Sequence, residues 1–240
     1  AHLVRAQTAF AVNDRAGAMS AVDQALALRA NWEPAALLKA GLLGPGAPQI
    51  DFLKRFLAAN PSAHEVRLGY ARTLVNEKRY DDARKEFETL LRLNPENPDV
   101  LFAVGILSLQ LNDIAAAEKH LKRFMTLGKG EQDAARFYLG QIAEQAGRND
   151  EALEWYRAVA EGEQKVPAHV RAAQLLVQQN KLDEAREQIA IARASAPTDT
   201  RLITAEAQLL REGGRHAEGY AVLSAALEAQ PDDPDLLYET

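Results

Sequence analysis

Apolar side chains recur three and four residues apart, in short blocks, along the whole chain. That spacing is the mark of amphipathic helices. The block from His64 to Asn97, HEVRLGYARTLVNEKRYDDARKEFETLLRLNPEN, reads as two such helices joined by a tight turn. Numbered 1–34 from His64, it carries Ala71 at position 8, Ala83 at 20, Phe87 at 24, Leu90 at 27 and Pro95 at 32. Small residues at 8 and 20 let the two helices approach closely. Large residues at 24 and 27 fill the space against the next block. The proline ends the second helix, because it has no N–H to donate and its ring clashes with the preceding turn.

The same register continues downstream. Pro98 to Gln132 has Gly105, Ala117, Leu121 and Phe124 at positions 8, 20, 24 and 27, and Asp133 to Lys165 has Gly140, Ala152, Tyr156 and Val159. Val166 to Asp199 has Ala173, Ala185, Ile189 and Ala192, and Thr200 to Asp233 has Ala207, Gly219, Leu223 and Ala226. Pro234 to Thr240 begins one further helix. Upstream, Ala1 to Trp32 fits with Ala6 and Ala18 at positions 8 and 20. Glu33 to Ala63 is a short, deviant block. Its turn, Gly44-Pro45-Gly46-Ala47-Pro48, breaks the helix, and a second helix starting near Pro48 buries Ile50, Leu53, Phe56 and Leu57. Position 8 is Ala or Gly in all seven blocks, which makes the chain one array, residues 1–240, of about seven helix–turn–helix units. Each unit of such an array packs only on its neighbours.

Composition narrows the chemistry. The net charge is −6, with acids and bases interleaved; a general nucleic-acid binder carries a basic stripe, so no nucleic-acid partner is expected. The absence of cysteine excludes disulfides, thiolate nucleophiles and Cys-ligated zinc. No apolar run reaches the roughly 18–20 residues that span a bilayer. The chain starts at Ala1 inside a helical pattern. We therefore expect a piece of a longer protein, in which a lipid anchor outside this segment remains open.

The motifs LGYARTLVNEKRYDDARKEF and LGQIAEQAGRNDEALEWY resemble the tetratricopeptide repeat (TPR), a helix–turn–helix of 34 residues with these small and large positions. The resemblance covers essentially the whole chain. Its departures are the short second unit, Ala30, Lys129 and Gln164 where proline closes a unit, and Gly219 in place of alanine. It implies an all-α, right-handed α-solenoid whose first helices line a concave face that binds a peptide or a protein partner.

Carrying the family's inner-face positions over gives Arg72, Val75 and Asn76, then Phe102, Ile106, Leu109 and Gln110. Phe137, Tyr138, Gln141, Glu144 and Gln145 follow, then Arg171, Gln174 and Gln178, then Arg201, Gln208 and Arg211. The recurring primary amides each offer donors and an acceptor, so they can pair with a peptide backbone without demanding a side-chain sequence. Phe102, Phe137 and Tyr138 are candidate aromatic anchors; Phe102 and Phe137 are alternatively packing residues against the next unit. Arg72 and Arg171 do not reproduce the family's two-carboxylate clamp.

No enzyme chemistry, metal or cofactor is expected. His2, His64, His120, His169 and His216 fall at unrelated repeat positions, and none lies three or four residues from another. Gly128-Lys129-Gly130 lacks the phosphate-loop spacing. Asp81 and Asp82 start a second helix, where negative charge is favourable. Trp32 and Trp155 read as packing residues at helix ends, and Glu206, at position 7, has no evident role.

Leu139 to Tyr156, Ala205 to Gly214 and Pro231 to Tyr238 further resemble TPR arrays of Gram-negative envelope proteins, often lipoproteins, some of which are adaptors for a periplasmic carboxy-terminal processing protease. That resemblance implies a scaffold at the periplasm or outer membrane rather than in the cytoplasm. Two alternatives stay open: a substrate-recruiting or regulatory segment of a larger enzyme such as a glycosyltransferase, and a self-associating assembly module.

Overall fold

The computed structural model describes residues 1–239. Among the described residues there are fifteen helices and no strand, and they fall into two compact units, Ala1–Leu127 and Gly128 onward. Unit 1 holds α1 (His2–Ala11), α2 (Arg15–Leu28), α3 (Glu33–Leu43), α4 (Ala47–Ala59), α5 (His64–Asn76), α6 (Tyr80–Leu93), α7 (Pro98–Gln110) and α8 (Ile114–Thr126). Unit 2 holds α9 (Gln132–Gln145), α10 (Asn149–Arg157), α11 (Lys165–Gln178), α12 (Leu182–Ser195), α13 (Thr200–Glu212), α14 (His216–Ala229) and α15 (Pro234–Glu239).

In both units the helices pack as antiparallel hairpins, and the position-8 and position-20 residues sit at the closest approach. Ala6, Ala18, Ala71, Ala83, Ala117, Ala152 and Ala185 are fully enclosed. A Cβ on Gly105 would lie 2.7 Å from the Leu121 side chain, and one on Gly140 would lie 2.5 Å from the Tyr156 ring. Gly219, the departure from alanine at position 20, has a similar cause. A Cβ there would stand 2.9 Å from the Ala207 carbonyl oxygen, so α13 and α14 meet with no room for a methyl group. The position-24 side chains Val22, Phe87, Leu121, Tyr156, Ile189 and Leu223 are buried between helices.

The tight turns share one device. Asn13, Lys78, Asn112, Gly147, Asn180 and Gly214 each stand at position 15 of their unit and adopt φ between +57° and +73°. The following residue then returns its N–H to a carbonyl five residues back, as Arg79 does to Leu74 and Lys181 to Leu176, at 2.8 and 2.9 Å. This is the Schellman closure, which satisfies carbonyls that a helix end leaves unpaired. The short unit turns differently: Gly44 (φ 75°, ψ 173°) and Gly46 (φ 105°, ψ −164°) occupy a region essentially confined to glycine. There Arg15 Nε also donates to the Leu42 carbonyl at 2.9 Å, tying α2 to the end of α3.

Polar bonds stitch successive hairpins. The Glu33 carboxylate accepts the Val66 N–H at 3.0 Å in unit 1. In unit 2, Asp133 Oδ2 accepts the Ala160 and Glu161 N–H groups at 3.1 and 2.8 Å, and Oδ1 pairs with Arg136. Asp133 secures the stretch after α10, a helix of only nine residues, where Gln164 stands in place of the closing proline. Glu206 also has a structural role: its largely buried carboxylate pairs with the partly exposed Arg193, joining α12 to α13. His169 is buried, with Nε2 3.2 Å from the Val159 carbonyl and Nδ1 2.8 Å from the Gln188 amide oxygen.

Candidate partner-binding site

In unit 2 a groove of about 400 Å³ opens along α11 and α13, with the end of α9 at one edge. Its floor is apolar: Val170, Ala173 and Val177 from α11, Ile189 from α12, and Ala205 and Leu209 from α13. Ile189 is the position-24 residue here. It is smaller than Tyr156, its counterpart one repeat earlier. Above the floor stand Arg171, Gln174, Gln178 and Gln208, all exposed. Helical spacing explains their alignment. Arg171, Gln174 and Gln178 follow one another at three and four residues, so they share one face of α11.

Glu144 and Glu212 complete the lining. Glu144 links the groove to the core. Its Oε2 accepts the Tyr156 hydroxyl proton at 2.7 Å, and its Oε1 lies 3.6 Å from an Arg171 guanidinium nitrogen. Burial pushes the Tyr156 phenol pKa well up, and the hydrogen bond to the anionic Glu144 pushes it the same way. The phenol therefore stays protonated and acts as a fixed donor that orients the carboxylate. Glu212 Oε1 accepts from Gln208 Nε2 at 2.9 Å.

Of the residues expected from the sequence, Arg171, Gln174, Gln178 and Gln208 come together in this groove. Tyr138 and Gln141 are half-buried and Gln145 is exposed on α9, and Arg211 is half-buried on α13; these four lie outside the lining. Phe137 is 8% exposed and belongs to the core, its ring 5.9 Å from Tyr156 and 5.7 Å from Tyr138. In unit 1, Phe102 is half-buried with its ring 5.3 Å from Phe124, in a tilted packing contact. Arg72 and Asn76 are exposed one turn apart on α5, and Gln110 is exposed at the end of α7.

Sequence reading passed over Glu212 and the floor. Glu212 stands at position 13 of its repeat, as Gln145 and Gln178 do in theirs, so reading that position in every unit finds it. The floor leaves no comparable signal. Val170, Ala205 and Leu209 look like any other apolar residues on a helix, and only the spacing between helices leaves Val170 and Ala205 partly uncovered and brings the edge of the buried Leu209 to the groove.

Two family models, each described as tetratricopeptide repeat, match the chain, one over residues 50–101 and 77–125 and the other over 105–167 and 170–238. A TPR repeat-containing protein of Pseudomonas aeruginosa is 31% identical over 107 residues, 44% of this chain and 18% of that protein. The cellulose synthase operon protein C of Pseudomonas fluorescens is 26% identical over 122 residues, 44% of this chain and 9% of that protein. The chain thus spans less than a fifth of the length of these curated relatives. Among solved structures, a tetratricopeptide repeat protein from Parabacteroides merdae superposes with a TM-score of 0.62 at 14% identity, covering 99% of this chain and 95% of its own. YrrB, described as a TPR protein with an unusual peptide-binding site, gives 0.59 at 17% identity, covering 78% and 96%. MamA gives 0.59 at 18% identity, covering 69% and 90%. The chain belongs to the tetratricopeptide repeat family, an all-α fold of paired helices that typically serves as a non-catalytic module for protein–protein interaction.

Proposed function

We propose that the chain is the partner-binding part of a scaffold or adaptor, and that the groove along α11 and α13 seats a peptide segment of a protein partner. The observation that carries this reading is the arrangement of Arg171 and three primary amides over an apolar floor. A concave, largely apolar site with a few convergent polar groups is the usual form of a binding site. The amides supply donors and acceptors for a peptide backbone, and the floor takes apolar side chains. Replacing Arg171, Gln174, Gln178 and Gln208 together by alanine abolishes co-purification of the partner with the full-length protein. The far-UV CD spectrum stays unchanged, because all four side chains are exposed. Undiminished co-purification would sink the reading.

At the level of the whole protein, the segment resemblances in α9–α10, α13 and the last turn of the array support an adaptor of the bacterial envelope, recruiting a periplasmic protease to its substrates. The likeness to cellulose synthase operon protein C supports a second reading, a recruiting segment within a polysaccharide-synthesis assembly. The full-length gene separates them: a lipoprotein signal supports the first, and a linked or neighbouring glycosyltransferase the second.

A further inference from the structure

We infer that the segment seated in this groove is apolar with lysine or arginine interspersed and is free of carboxylates. This rests on the groove being the partner site and specifies what it selects.

The polar lining carries two carboxylates, Glu144 on α9 and Glu212 on α13, against one guanidinium, Arg171. Glu144 Oε1 lies 3.6 Å from that guanidinium and offsets part of its charge. Glu144 is itself held in place by the hydroxyl of the enclosed Tyr156 at 2.7 Å. An incoming acidic side chain that reaches the half-exposed Arg171 therefore also approaches a carboxylate that is fixed from behind. It would then face that like charge at close range, which is repulsive by several-fold in affinity or more.

A cationic side chain meets the opposite situation. An ionised carboxylate offers about four acceptor sites. The bond from Gln208 at 2.9 Å takes one of those on Glu212, and the exposed position of Glu212 leaves the others within reach of a lysine or arginine. Between these charges the floor of Val170, Val177, Ala205 and Leu209 accommodates apolar side chains. Charge complementarity and floor chemistry thus point to the same occupant.

The test uses three fluorescein-labelled decapeptides, blocked at both ends, in which leucine alternates with lysine, glutamine or glutamate. Their binding to the whole chain is followed by fluorescence anisotropy. The lysine peptide binds tightest and the glutamate peptide weakest, with about tenfold or more between them. Glu212→Gln weakens the lysine peptide about threefold and the glutamine peptide less. Glu187→Gln, on the exposed side of α12, changes neither, which excludes attraction to the net negative surface as the cause. The inference is overturned by a glutamate peptide that binds as tightly as the lysine peptide, by a Glu212→Gln variant with the wild-type preference, or by a lysine peptide that does not bind. The quadruple alanine variant separates the two levels. If it loses all three peptides while the charge preference is absent, the groove stands and its selectivity falls. If it retains wild-type binding of all three, the groove itself falls.

Discussion

At position 140 a single methyl group decides whether α9 and α10 can close. A Cβ there would lie 2.5 Å from the Tyr156 ring, and Tyr156 cannot retreat because it is fully enclosed and hydrogen-bonded to Glu144. Helix propensity favours alanine over glycine by about 1 kcal/mol, while overpacking a tight core costs about 1–3 kcal/mol. Packing wins against a ring that cannot yield, so Gly140→Ala lowers stability by up to about 2 kcal/mol, read as a reduced urea midpoint by CD. An unchanged or raised midpoint would show that the hairpin has room to spread. Glu206 is the complementary case. Its partner Arg193 belongs to another helix, so the sequence around Glu206 carries no sign of why it is there.

Among the elements, the hairpin turns were the more legible feature and the inter-hairpin ties the less. Asn or Gly, the residue types that tolerate the left-handed conformation, stands at position 15 in five of the six units that turn this way, and Lys78 is the exception. Asp133 is different, because its partners Ala160 and Glu161 bond through backbone N–H groups that any residue supplies. Burial works against ionisation of Asp133, but the Glu161 amide, Arg136 and the Ala160 amide outweigh it and hold the carboxyl below its ordinary value. A carboxyl whose pKa is lowered by folding stabilises fully above its unfolded value of about 3.9 and loses that contribution as the pH falls through the folded value. Asp133→Asn therefore lowers the urea midpoint at pH 7. It also makes the decline in stability between about pH 5 and pH 3 shallower than in the wild type. Parallel pH profiles for the two proteins would remove Asp133 as the source.

For the molecule as a whole, each compact unit contains one tryptophan, Trp32 in the first and Trp155 in the second. In repeat arrays stability is a sum of local terms between neighbours, so damage in one unit is felt there first. Gly46 holds a backbone conformation closed to other residues, and Gly46→Ala costs about 1–3 kcal/mol. Followed in Trp155→Phe and Trp32→Phe backgrounds, this variant shifts the Trp32 transition to lower urea and the Trp155 transition less. Binding of the lysine peptide to the groove in unit 2 stays at the wild-type level. Equal shifts of both tryptophans would show that the array unfolds as one cooperative block.

The sequence by itself determined the all-α repeat architecture, the paired helices and the small and large positions that pack them, because helical periodicity and close approach leave local marks at fixed intervals. It also placed Arg171, Gln174 and Gln178 on one face of a helix, by their spacing of three and four residues. The tertiary structure decided which of the inner-face candidates line one groove. Arg171, Gln174, Gln178 and Gln208 share a groove, while Phe137, on the same nominal face, turns into the core beside Tyr156. That outcome depends on the spacing between helices, on Ile189 being smaller than Tyr156, and on a carboxylate held by a buried hydroxyl twelve residues further along the chain. Each of these relations joins residues on different helices, and periodicity along one helix does not encode them.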